Sequence, residues 1–158
     1  MLETYLDFLE QGYYEGKFAF DGLADDKVWK RPADGILSIG ELASHIAYWE
    51  AVRLAGEEGE FPDLSKCRVK SLLIDPRFSY YPETVPTSPS AEQLAMSASQ
   101  VCNELMRVHS EAVNYLQSIN PNLDAYRDKL KYLAFHVAYH VGQMYTVRHL
   151  LGDQPPNN

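Results

Sequence analysis

A chain of 158 residues is long enough for one sizeable hydrophobic core and short for two. With 46% hydrophobic and 23% charged residues it has an ordinary globular composition, and no apolar run approaches the roughly 20 residues that span a bilayer. A net charge of −8 without a basic cluster argues against nucleic acid or anionic lipid as partner, and two cysteines without C-x-x-C spacing support neither a disulfide scaffold nor a zinc ribbon.

The opening stretch MLETYLDFLEQGYY is acidic where a secretory signal would be basic and then apolar, so the expected compartment is the cytoplasm. Leu2, Tyr5, Leu6, Leu9, Tyr13 and Phe20 fall near helical spacing and predict a first helix over Leu2 to Leu23, although Gly12 and Gly16 each weaken it by about 1 kcal/mol relative to alanine. A connector, DDKVWKRPADGILS, carries turn chemistry at Pro32 and Asp34-Gly35. Ser38 with Glu41 three residues on is a capping box, and it predicts a second helix to about Glu58 with Ile39, Leu42, Ile46 and Trp49 as its apolar stripe.

Residues 59–89 hold Pro62, Pro76, Pro82, Pro86 and Pro89, too many for a regular element, so a long crossing of the kind that often covers a site is expected. Ser90 and Gln93 form a second capping box and predict a third helix through Leu94, Val101, Leu105, Val108, Val113 and Leu116 to about Ser118. After the break at Asn120-Pro121-Asn122, a fourth helix over about Leu123 to Leu151 has Leu133, Val137, Val141, Met144, Val147 and Leu151 at core spacing, with Gly152 as its stop. Four amphipathic helices and no convincing strand predict a single all-α domain over 1–152, a four-helix bundle with a long crossover connection, followed by a disordered tail at 153–158.

His136 and His140 are four apart on the fourth helix, so their imidazoles emerge one turn apart on one face, as two ligands of one metal ion would. Five shuffled histidines would give such a pair roughly one time in eight, and core histidines satisfied by hydrogen bonds are the bland alternative. His45 borders the inward face of the second helix and supplies a third donor, as bundle metal sites require. Three imidazoles leave a tetrahedral ion one exchangeable position and suit zinc, nickel, copper or iron over magnesium or calcium. His109 and His149 read as surface or boundary residues, while Glu41, Glu50, Tyr132 and Gln143 are near enough in sequence to orient ligands or meet a substrate.

GLADDKVWKRPADGILSIGELASHIAYWE and HVAYHVGQMYTVRHLLG, in this order and spacing, resemble the first connector, second helix and closing helix of the DinB-like family of metal-binding bundles. The resemblance implies an up-down-down-up four-helix bundle, a homodimer, and His45, His136 and His140 as ligands of zinc or nickel. Phe61 to Pro89 is longer than the family pattern. Some relatives are transferases using bacillithiol, mycothiol or glutathione, and one branch isomerises maleylpyruvate with a thiol cofactor, so a metal-dependent thiol transferase acting on a small molecule is the expected activity. A non-catalytic metal-binding or stress-response protein, or a metal-dependent hydrolase, is the alternative. No serine nucleophile elbow, P-loop or dinucleotide glycine fingerprint is present.

Overall fold

The computed structural model of the chain describes residues 2–59, 62–80, 88–119 and 123–155. These form six α-helices and no strand: α1 (Leu2–Phe20), α2 (Asp25–Val28), α3 (Ile39–Ala55), α4 (Ala91–Leu94), α5 (Ala98–Ser118) and α6 (Leu123–Leu150), with single 3-10 turns at Leu64–Lys66 and Pro76–Phe78. Among the described residues no helix is long and apolar enough to cross a membrane.

The Ser38 cap works as expected. Its hydroxyl accepts the Glu41 N–H and the Glu41 carboxylate accepts the Ser38 N–H at 2.8 Å, so two otherwise orphaned donors are satisfied where α3 begins. The box at Ser90 and Gln93 also forms, yet it opens only the one-turn α4. The expected third helix is broken because a further box, Ser97 with Gln100, holds Ser97 extended and restarts the chain as α5. Tertiary bonds fix that kink: Trp29 Nε1–H donates to Met96 O at 3.1 Å, Gln93 Nε2–H to Leu72 O at 2.8 Å, and the Ala98 N–H to Asp25 at 2.9 Å. Leu94, expected in the core, is consequently 52% exposed. The break at 120–122, with Pro82 and Pro86 of the long crossing, lies outside the described residues.

α3 is the interior helix. Its small residues, among them Gly40, Ala43, Ser44, Ala47, Ala51 and Ala55, let α5 and α6 close on it, and nearly every position is buried rather than one stripe. α1 contacts α6 and α5, and α3 contacts α5 and α6. The glycines that weaken α1 serve that packing: a β-carbon at Gly12 would lie 2.9 Å from Val137 Cγ1, and one at Gly16 would lie 3.3 Å from Val141. At the far end Arg148 is buried on α6, donating to the carbonyls of Ala19 (3.2 Å) and Asp21 (2.6 Å), which closes the C-terminal end of α1. Asp153 pairs with Arg148 at 3.1 Å, so the described start of the tail is tied to this corner, and 156–158 lie outside the described residues.

Candidate metal centre

The packing of α3 against α6 carries His45 to His136 and His140. One ring nitrogen from each lies within 4.8 Å of the others, a group that could hold a metal ion. His45 Nε2 stands 3.0 Å from His136 Nε2. His45 and His136 are buried and His140 is half-buried, so the group opens to solvent on the His140 side.

Two partners assign the ring tautomers. His45 Nδ1–H donates to the carbonyl of Phe78 at 2.7 Å, and His140 Nδ1–H donates to Gln143 Oε1 at 2.6 Å. Each leaves its Nε2 lone pair free to face the group. Gln143 is itself oriented by Nε2–H donation to the Tyr139 hydroxyl at 3.3 Å. Burial pushes His45 down to about 4 despite the opposing pull of its bond to Phe78. Burial, then the neighbouring His45 and His140, push His136 down to about 3, and burial also lowers His140. All three are therefore neutral imidazoles near pH 7, the form that ligates metals.

The donor set fits a transition-metal ion. Nitrogens at 2.0–2.1 Å from a tetrahedral centre lie about 3.4 Å apart. The spread between 3.0 Å and 4.8 Å brackets that value, leaving side-chain adjustments of about an ångström. His136 Nδ1 is buried without a hydrogen-bond partner among the described residues.

Aromatic rings pack against the two buried histidines. Tyr132 stacks on His136 with centroids 5.5 Å apart, and Tyr80 lies 4.9 Å from His45. Tyr80 keeps a left-handed backbone, φ 57°, at a cost of roughly 1–2 kcal/mol. Its ring contact and the donation of its hydroxyl to Glu41 O at 3.3 Å hold it there.

Of the expected supporting residues, Gln143 and Tyr132 sit at the group, and two others do not. Glu41 is spent on its cap and on Arg31. Glu50, with 0% exposure, points away to accept from the Tyr13 hydroxyl and from His109 Nδ1–H at 2.6 Å. His109 is accordingly buried rather than at the surface, stacked on Tyr13 at 3.8 Å, while His149 is exposed as expected. Sequence reasoning missed the Phe78 carbonyl, which no side-chain pattern announces, and Arg53, which the spacing 45, 49, 53 places on the face of His45.

A family model described as the DinB superfamily matches residues 9–144. Among curated proteins and among solved structures, none matches the chain.

Proposed function

Because the chain belongs to the DinB superfamily, we propose that His45, His136 and His140 hold one zinc or nickel ion, and that the protein is a metal-dependent transferase using a low-molecular-weight thiol of the bacillithiol, mycothiol or glutathione type. The observation that carries this reading is the convergence of three neutral imidazoles, two of them aimed by Nδ1–H bonds to Phe78 O and Gln143. A divalent ion there supplies Lewis acidity that favours the thiolate form of a small thiol. The chain's own part is to fix three nitrogens, to exclude water on the buried His45 and His136 side, and to leave access past the half-buried His140. Transfer joins the thiol sulfur to an electrophilic carbon as the leaving group departs with its electron pair and takes up the thiol proton. Hydrolysis ranks lower because the two carboxylates nearest in sequence to His45, Glu41 and Glu50, are engaged elsewhere and offer no general base.

The same reading takes the helices as an up-down-down-up four-helix bundle with a long crossover. Matched progressions support it: Gly12 with Val137 then Gly16 with Val141 for α1 and α6, and His45 with His136 then Arg53 with Tyr132 for α3 and α6. It also takes the protein as a cytoplasmic homodimer. The free thiols of Cys67 and Cys102 suit a reducing compartment. The cleft between α1 and α6, flanked by Phe8 and Phe135 at 63% and 68% exposure, suits an interface between copies.

Elemental analysis of protein purified without a histidine tag tests the centre. About one zinc or nickel per chain, lost in His45→Ala and His136→Ala, is expected, followed by metal-dependent conjugation of small thiols. Wild type that stays metal-free after reconstitution refutes the centre. Bound metal with no thiol binding refutes the transferase, and turnover of an ester panel then separates a metal-dependent hydrolase from a non-catalytic metal-binding or stress-response protein.

A further inference from the structure

Two ladders face each other across the packed helices. His45, Trp49 and Arg53 follow one another at four-residue steps on α3, and Tyr132, His136 and His140 do so on α6. The histidines make one end of this seam and Arg53 makes the other. The Arg53 guanidinium carbon lies 4.2 Å from the centroid of Tyr132 and 5.4 Å from that of Trp49. Tyr132 in turn stacks on His136, so the cation sits one ring away from the proposed ligands.

Arg53 has no carboxylate partner among the described residues, and its Nε is buried without a hydrogen bond. The acids close to it along the chain are committed: Glu50 to Tyr13 and His109, Glu57 to Lys66 at 2.7 Å, and Glu58 to Lys129 at 3.4 Å. Arg53 as a whole is half-buried, but leaving the buried Nε–H of a permanent cation without an acceptor is costly, and the aromatic contacts offset only part of that cost. A guanidinium laid over a ring keeps its planar fork of N–H donors free at the edge, the geometry that takes a carboxylate by two parallel bonds.

We infer that Arg53 is a substrate-binding residue that recognises a carboxylate beside the three-histidine group, so that the molecule bound there is a carboxylic acid. The proposal deepens the metal-centre reading by naming its substrate class; the guanidinium and its ring contacts are in place without the ion.

The test is an NMR titration of the Arg53 Nε–H resonance in metal-free and in zinc-loaded protein, using acetate, the neutral isostere acetamide, and sodium chloride at matched ionic strength. A saturable shift with acetate alone is expected in both forms. With acetate affinity measured by isothermal titration calorimetry in wild type and variants alike, Arg53→Met should weaken acetate at least tenfold, about 1.4 kcal/mol, and Arg53→Lys, which keeps the charge without the fork, should bind at an intermediate strength. A preference of zinc-loaded protein for mercaptoacetate over 2-mercaptoethanol that Arg53→Met abolishes would place the carboxylate on the thiol. Equal binding of the two thiols, with acetate still dependent on Arg53, would place it on the second substrate. No saturable shift in either form of wild type overturns the proposal, as does zinc-loaded Arg53→Met that binds acetate as tightly as wild type. Zinc content measured on the same samples judges the metal reading separately, since the metal-free titration stands or falls without it.

Discussion

Replacing Gln143 by leucine removes the acceptor that holds the His140 Nδ1–H at 2.6 Å and leaves the imidazole free to rotate or change tautomer. Partners of this kind typically contribute 10- to 100-fold in metal affinity, roughly 1.4–2.7 kcal/mol. His140 is half-buried, so water can replace part of the lost bond, and the expected loss is nearer tenfold than a hundredfold. Competition for zinc against a chromophoric chelator at pH 7 measures it. Tyr139→Phe is the control: it removes only the 3.3 Å contact that steadies the Gln143 amide, so a change under about threefold is expected. Gln143→Leu within threefold of wild type, or Tyr139→Phe equally damaging, would refute the role given to this bond.

In the unfolded chain the histidines take up protons near pH 6.5, whereas in the folded protein burial holds His45 and His136 down to about 4 and about 3. The unfolded state then binds more protons below pH 6.5, so the metal-free protein should lose stability as pH falls, on the order of 2 kcal/mol per histidine by pH 5. Urea midpoints that stay level from pH 7 to 5 would contradict the burial of the pair. Glu50→Ala strands the Tyr13 hydroxyl and the His109 N–H in the interior and should cost about 2–5 kcal/mol in urea unfolding while leaving zinc stoichiometry intact. A loss below 1 kcal/mol, or loss of zinc from folded protein, would show that Glu50 does other work.

Local chemistry fixed what sequence could say about this protein. The Ser38 capping box starts a helix wherever it occurs, because its donors and acceptors lie within three residues. The four-residue spacing of His136 and His140 puts two imidazoles on one helix face before any packing is known. The box at Ser97 and Gln100 is equally local, and it separates the one-turn α4 from α5 where the Ser90 box alone predicts a single helix. Tertiary structure alone decided the rest, because pairing between distant segments leaves no period in the chain. Glu50, five residues past His45, points away from the histidines to His109 and Tyr13, and Gly12 is a contact surface for Val137 rather than a weakness. His45 found its Nδ1 partner in a backbone carbonyl 33 residues away, a group every residue carries and no sequence pattern can single out.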